Sequence, residues 1–288
     1  MTQSASRTRP QNRIPVLTWH GYNVFGNTYG TNDLIAFADD LRTLDYAGFA
    51  VVPLVEAARW VRGERADFAQ YGRPVLALSC DDGTDYDWRD MTHPEFGPQK
   101  SFASSMRTFQ SARPGAQPAL GMTSFVIASP TARTQIDRGG MNAQAALNDD
   151  WWQAANDSGL LAIESHGWDH NHPTVAPVVQ RDQRSGDFFA IDTFAECDMH
   201  VRAASLFIES KSGRKPALFA YPWTQASDYM RRDYMPQFAA NNGVIAAFGG
   251  QSDYLTKNLD RWYLPRFVFG PDWKSADGLR AILRDALD

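Results

Sequence analysis

The chain contains few of the features that mark disulfide-linked, membrane-spanning or nucleic-acid-binding proteins. Its 288 residues include two cysteines, Cys80 and Cys197, which are too few for a disulfide framework. The sequence has no apolar stretch long enough to span a bilayer and no run of basic residues, and its formal net charge is −5. We therefore expect neither a membrane nor a nucleic acid as a partner.

The first residues also lack the apolar stretch of a secretory signal peptide. Residues 1–13 are mostly polar, so we expect a disordered segment there and a cytoplasmic protein, although removal of a leader would leave the same appearance. Hydrophobic residues make up 43% of the chain, enough for one sizeable core. We predict a single domain over residues 14–288.

Short apolar runs alternate with helix-like segments along the chain, which predicts an α/β protein with a parallel sheet. The predicted strands cover 16–19, 49–54, 75–80, 119–127, 160–164, 217–221, 243–248 and 262–269. The predicted helices cover 32–47, 56–62, 100–113, 149–156, 187–211, 227–240 and a closing segment capped by Ser275. Segments 84–99 and 129–144 are predicted to be long loops, which in compact domains often carry function.

The strand predicted over 75–80 runs directly into two adjacent carboxylates and a glycine, Asp81-Asp82-Gly83. The carboxyl ends of strands are where α/β folds place their functional groups. Two adjacent ionised carboxylates repel each other, so burying them requires a cation or hydrogen-bond donors nearby. An exposed Asp-Gly turn is the alternative that this segment alone leaves open.

A second apolar run, 160–163, is followed by His166 and His170. Side chains four residues apart lie on one face of a helical turn, so both imidazoles could reach the same metal ion there. Together with Asp82 they make a set of two nitrogens and one oxygen, which is common at catalytic zinc-type sites. Two unrelated surface histidines are the alternative.

These two motifs, Asp81-Asp82-Gly83 and His166-x-x-x-His170, resemble the first two motifs of the polysaccharide deacetylases, carbohydrate esterase family four. Weaker similarities are the segment Phe219-Ala220-Tyr221-Pro222-Trp223 and the opening Val16-Leu17-Thr18-Trp19-His20. The resemblance extends over roughly residues 15–269. It implies a distorted (β/α) barrel of about seven strands with the active site at the carboxyl ends of the strands.

The same resemblance implies Asp82, His166 and His170 as metal ligands and Asp81 as the general base. The expected function is a metal-dependent hydrolase that removes N-acetyl groups from an amino sugar or oligosaccharide and releases acetate. Zinc is the first expectation for the single divalent ion, with cobalt, nickel or manganese as alternatives. Two other functions stay open: hydrolysis of a small non-sugar amide or cyclic imide at the same site, and a catalytically silent carbohydrate-binding relative.

Two departures from the family pattern concern groups around the proposed base. Many members carry an arginine beside the catalytic aspartate in the third motif, where this chain has Ala220, and Arg266 is our candidate replacement. Members also bring a late histidine to protonate the leaving amine, but no histidine follows His200 here. We predict that His20, at the end of the first strand, takes that role, with a structural role as the alternative.

The nine tryptophans are a high count for a chain of this length, and several aromatic residues follow predicted strands. Aromatic faces suit stacking on sugar rings, although they could equally wall the pocket. The candidate substrate-binding residues are Trp168, Tyr221, Trp223 and Arg266.

Overall fold

The structure is a computed structural model that describes residues 12–65, 67–175 and 184–288. The segment predicted to be disordered, 1–13, lies outside the described residues except for its last two positions. Of these, Arg13 donates a hydrogen bond to the backbone carbonyl of Asp285. No helix in the described part of the chain is long and apolar enough to cross a membrane.

Strands and helices alternate through the described residues. The strands are β1 (Val16–His20), β2 (Ala50–Val51), β3 (Val75–Asp81), β4 (Met91–His93), β5 (Gly97–Gln99), β6 (Met122–Val126), β7 (Leu161–Ser165), β8 (Leu218–Ala220), β9 (Ala246–Phe248) and β10 (Phe267–Val268). The α-helices are α1 (Asp33–Tyr46), α2 (Leu54–Val61), α3 (Asp85–Trp88), α4 (Phe102–Ala112), α5 (Pro130–Gly140), α6 (Trp152–Ser158), α7 (Phe194–Asp198), α8 (Ala204–Ser212) and α9 (Ala276–Asp285). The π-helical segments are Met199–Ala203, which joins α7 to α8, and Met230–Ala239.

The main sheet is parallel and has the strand order β10-β1-β3-β6-β7-β8-β9, with β2 paired to β3 outside this path. Most of its residues are buried, as expected for a parallel sheet covered by helices. The segment that leads into β10 reaches the opposite end of the sheet, because Leu264 bridges to Phe248 of β9, whereas Phe267 in β10 pairs with Leu17 of β1. This curled sheet confirms the predicted distorted (β/α) barrel. Its parallel strands bring their carboxyl ends to one rim.

The ends of α1 follow from local sequence. The Asn32 side chain accepts hydrogen bonds from the backbone N–H groups of Leu34 and Ile35, which would otherwise lack partners at the start of a helix. Gly48 follows the helix with a φ of +82°, a conformation that glycine adopts without steric cost. The helix lies within the predicted segment 32–47.

The segment 129–144 is not the long loop that we predicted. It contains α5, whose first turn is capped by the Ser129 side chain accepting from the backbone N–H of Ala132, with Pro130 at the first helical position. Serine followed by proline is a recognised start signal for a helix. The apolar pattern that follows is weak, which is why the sequence favoured a loop.

Other predicted elements differ in extent. The segment 84–99 contains α3 and a β4–β5 hairpin, and the strand predicted over 49–54 is shortened to β2 because α2 begins at Leu54. The helix predicted over 187–211 is divided into a 3-10 turn at Phe188–Ala190 and a continuous α7–π–α8 helix. The strands that lead to the candidate site, β1, β3 and β7, end within one residue of their predicted ends.

Candidate metal centre and active site

Three side chains at neighbouring strand ends form a possible metal site. Asp82 follows β3, and His166 and His170 follow β7. Their candidate ligand atoms all lie within 4.8 Å of one another. The Asp82 Oδ1 is 3.7 Å from His166 Nε2 and 3.6 Å from His170 Nε2. Both histidines are buried, whereas Asp82 is partly open to solvent, so a bound ion would keep one accessible side.

The two histidines converge by a route that differs from the helical turn we predicted. The residues after His166 form an irregular loop, in which Gly167 has a φ of +84° and His170 a φ of +62°. Positive φ is uncommon outside glycine and indicates a backbone held by its surroundings. The structure therefore brings the two histidines together as the spacing predicted, but through a loop and not through the helical turn that we expected.

The loop after β3 is equally constrained. Asp82 has a φ of +74°, and Gly83 follows with a φ of +70°. A Cβ atom added to Gly83 would lie 2.5 Å from Cγ1 of Val126 at the end of β6, so the position needs glycine for space as well as for conformation. The backbone carbonyl of Asp82 also accepts a hydrogen bond from the N–H of Ile127 at 3.5 Å. These contacts fix the direction in which the Asp82 carboxylate points.

The donor chemistry of the three residues fits a divalent ion. The Nδ1 atom of His166 lies 2.9 Å from the backbone carbonyl oxygen of Ala220. A carbonyl only accepts, so Nδ1 carries the proton and the Nε2 lone pair faces Asp82, the arrangement usual for metal-binding histidines. Burial and the neighbouring histidines His166 and His172 lower the pKa of His170, which favours the neutral form that binds metals.

Asp81 is paired with Arg266 in the interior of the barrel. The guanidinium donates to both carboxylate oxygens, at 2.7 Å and 2.9 Å, and through Nε to the backbone carbonyl of Gly249 at 3.1 Å. Burial by itself would raise the pKa of the Asp81 carboxyl, but Arg266 and His166 hold it well below its usual range. Asp81 is therefore ionised at neutral pH. Arg266 has no exposed surface, so its contacts are to Asp81 and the barrel rather than to the cavity.

His20 lies at the end of β1, in register with Asp81 on β3. Its backbone N–H donates to Asp33 Oδ2 at 2.8 Å. Its ring Nδ1 is buried and has no hydrogen-bond partner among the described residues. A buried imidazole nitrogen without a partner beside a carboxylate is a group available for a ligand.

One cavity of about 320 Å³ connects these residues. Its polar side is formed by His20, Asn23, Asp81, Asp82, His166 and His170. Its other lining residues are Tyr22, Ile127, Ile136, Gly140, Met141, Leu147, His172, Trp223, Thr224 and Val268. The predicted metal ligands, base and proton donor thus share a single cavity at the carboxyl rim of the sheet.

Of the three candidate substrate-binding aromatics, one lines the cavity and two lie away from it. Trp223 is 42% exposed, lines the cavity and packs against His170 with a ring-centroid distance of 4.6 Å. Trp168 packs edge-on against Phe207, and the buried Tyr221 donates its hydroxyl to the carbonyl of Trp262 at 2.8 Å. Neither Trp168 nor Tyr221 lines the cavity, so their positions favour structural roles.

Two residues that support the metal loop were not predicted to do so. His200 accepts a hydrogen bond at Nδ1 from the backbone N–H of Trp168. Its Nε2 lies 3.5 Å from Asp169 Oδ1, and Asp169 in turn accepts from the N–H of Asn171. His200 therefore packs against the His166–His170 loop, of which Asp169 is a part. No spacing in the sequence connects His200 to that loop, so only the fold reveals the contact.

Solved structures with a similar fold include proteins described as deacetylases. IcaB from Ammonifex degensii matches with a TM-score of 0.62 and 14% identity, over 97% of this chain and 99% of that one. The Streptococcus pyogenes deacetylase PplD, solved with acetate, gives 0.61 and 13%, over 94% and 98%. The polysaccharide deacetylase BC0361 from Bacillus cereus gives 0.59 and 14%, over 94% and 69%. No family model and no curated protein sequence matches the chain. These likenesses establish that the chain has the fold of polysaccharide deacetylases.

Proposed function

We propose that this protein is a metal-dependent deacetylase that removes N-acetyl groups from an amino sugar or oligosaccharide. The observation that carries the proposal is the adjacency, in one cavity, of the Asp82–His166–His170 set and the ion-paired carboxylate of Asp81. The described activity of two proteins with the same fold, the Bacillus cereus polysaccharide deacetylase BC0361 and the Streptococcus pyogenes deacetylase PplD, supports it. Zinc is the ion that this donor set suits best, because two imidazoles and one carboxylate leave a position open for water.

Asp82, His166 and His170 would hold the ion, which when bound would acidify a water molecule and polarise the acetyl carbonyl. Asp81 would accept the proton of the attacking water. Its carboxylate has about four lone-pair directions, so it can do so while both oxygens remain hydrogen-bonded to Arg266. His20 would donate a proton to the departing nitrogen, because an amine anion is a very poor leaving group. Trp223 offers an aromatic face to the sugar.

Loss of one histidine ligand tests the metal site. We expect His166→Ala to purify with far less bound divalent metal than the wild type, because the substitution removes one of the three protein ligands. His172→Ala is the matched control, since His172 lines the same cavity outside the ligand set. Elemental analysis of the three proteins after equal exposure to zinc decides the matter. Equal metal content in the wild type and His166→Ala would refute the site.

The role of His20 is tested by comparing leaving groups. We expect His20→Ala to keep its metal and to lose about a hundredfold in turnover on an acetylated amino sugar, the usual contribution of a positioned acid. An activated phenyl acetate should be cleaved almost as fast as by the wild type, because a stable phenolate leaves without a proton. If His20→Ala lowers turnover of the amide and of the ester by the same factor, His20 has a structural role.

A substrate screen separates the proposed activity from its alternatives. Acetylated oligosaccharides, small amides and cyclic imides should be assayed with zinc, cobalt, nickel or manganese added. We expect acetate release from the oligosaccharides to exceed turnover of the small compounds. Turnover of small amides or imides alone would assign the alternative substrate class, and binding of sugars without turnover would indicate a silent relative.

A further inference from the structure

One side of the active-site cavity is apolar and belongs to a hydrophobic cluster of its own. Ile127, Ile136, Met141 and Leu147 line the cavity and, together with Ala132, form a group separate from the main core. Each of these side chains is at most 6% exposed. We call the four lining residues the apolar wall. The deacetylation chemistry described above uses none of them.

The position of the apolar wall relative to the polar groups follows from the strand order. β3, which carries Asp81 and leads into Asp82, lies between β1 and β6. His20 ends β1 on one side, whereas Ile127 follows β6 on the other and donates its N–H to the carbonyl of Asp82. A scissile amide placed at Asp82 with its nitrogen toward His20 would direct its acyl group toward Ile127.

The wall suits a hydrocarbon better than a sugar. Sugar hydroxyls need hydrogen-bond partners when buried, and leaving one unpaired costs on the order of 1–3 kcal/mol. Aliphatic side chains offer none. An apolar cavity of about 150 Å³ is enough to bind benzene. The active-site cavity, of about 320 Å³, is larger than that, and the four aliphatic side chains of the apolar wall are among its lining residues.

We propose that the enzyme prefers N-acyl groups longer than acetyl, with a chain of about four to six carbons lying on the apolar wall. This inference rests on the proposed function and specifies its substrate class. The reaction stays a hydrolysis: the carbon–nitrogen bond breaks, a carbon–oxygen bond forms from water, and the products are a carboxylate and a free amine.

The acyl-chain length of the substrate tests the proposal directly. N-acetyl-, N-butyryl- and N-hexanoyl-glucosamine differ only in the group expected at the wall, and amine release with zinc gives kcat/KM for each. Each methylene that becomes buried should raise kcat/KM by about fourfold. Burial of only two of the four methylenes that hexanoyl adds to acetyl would give about sixteenfold, so hexanoyl should exceed acetyl by at least about tenfold. A kcat/KM that stays constant or falls from acetyl to hexanoyl would overturn this inference but would leave the proposed deacetylation intact.

Two variants of the wall assign the preference to these residues. Met141→Gln places an amide on the wall at nearly constant length and should reduce the hexanoyl-to-acetyl ratio by about tenfold. Met141→Ala removes side-chain volume from the wall and so enlarges the cavity, which should shift the preference to a longer acyl chain. Leu206→Gln, on the exposed face of α8, is the control and should leave the ratio unchanged. Within each variant the ratio does not depend on the fraction of folded protein. Unchanged ratios in both Met141 variants would refute the assignment.

Binding to the metal-free protein separates this inference from the proposed function. Calorimetric titration of the chelator-treated protein with the same three compounds should show tighter binding as the chain lengthens and weaker dependence in Met141→Gln. If no compound is hydrolysed with any metal, the proposed function fails, but this series still decides the acyl preference. Equal affinity for the three compounds would overturn the preference whatever the activity.

Discussion

Asp81→Asn is expected to keep its bound metal and to lose turnover by about a thousandfold, within the range that a positioned general base contributes. The substitution removes the group that accepts a proton without removing a ligand. The amide oxygen of the new side chain can still accept from Arg266, so part of the ion pair's geometry survives. Steady-state turnover and metal content should be measured on the same preparation, because only their combination separates a lost base from a lost site.

Asp82→Asn provides the matched comparison, since it alters the adjacent carboxylate by the same single atom. We expect it to weaken metal binding first and to recover activity when metal is added in excess. Asp81→Asn should not recover under those conditions. Metal loss in Asp81→Asn with metal retained in Asp82→Asn would show that the two roles are reversed.

The sequence was informative wherever function lies next to a strand end. Asp82 and His166 each follow a short apolar run, and parallel strands carry such residues to one rim. The candidate metal ligands could therefore be nominated without knowledge of side-chain packing. The backbone conformation of the two loops could not be predicted from the sequence. The positive φ of Asp82 and His170 is imposed by neighbouring segments rather than by local propensity.

Contacts between distant segments could be proposed only by elimination. Arg266 and Asp81 are 185 positions apart, and their pairing depends on β10 lying beside β1. We nominated Arg266 because Ala220 left the proposed base without a cation, but we also considered it a substrate ligand, which its complete burial does not favour. The apolar wall was missed for a related reason: Ile136 and Met141 belong to or follow a helix that we predicted to be a loop.

Arg266→Met is expected to destabilise the fold by about 3–5 kcal/mol, the usual consequence of removing one partner from a buried ion pair. Methionine has a similar length and packs well, so the loss is mainly that of the charge. Asp81 would be left to bury an unpaired carboxylate or to take up a proton, and turnover should fall because a protonated carboxyl cannot accept the proton of water. Arg266→Lys keeps a positive charge without the two-pronged contact and should be intermediate.

The pH dependence of the loss of folding stability in Arg266→Met shows whether the loss comes from the ion pair or from packing. In the folded wild type, Arg266 holds the pKa of Asp81 below its usual value near 3.8, so the pair stabilises the fold above that pH and its contribution is lost as the pH falls below it. Without Arg266, burial raises the pKa of Asp81, and stability is lost as the pH rises. Denaturant unfolding of the metal-free proteins should therefore show a wide gap in free energy of unfolding between wild type and Arg266→Met at about pH 7.5 and a narrower one at about pH 4.5.

Adding Asp81→Asn to Arg266→Met removes the unpaired charge and should recover much of the stability at neutral pH but none of the activity. A gap that is constant with pH and unaffected by the second substitution would mean that Arg266 stabilises the barrel by packing alone.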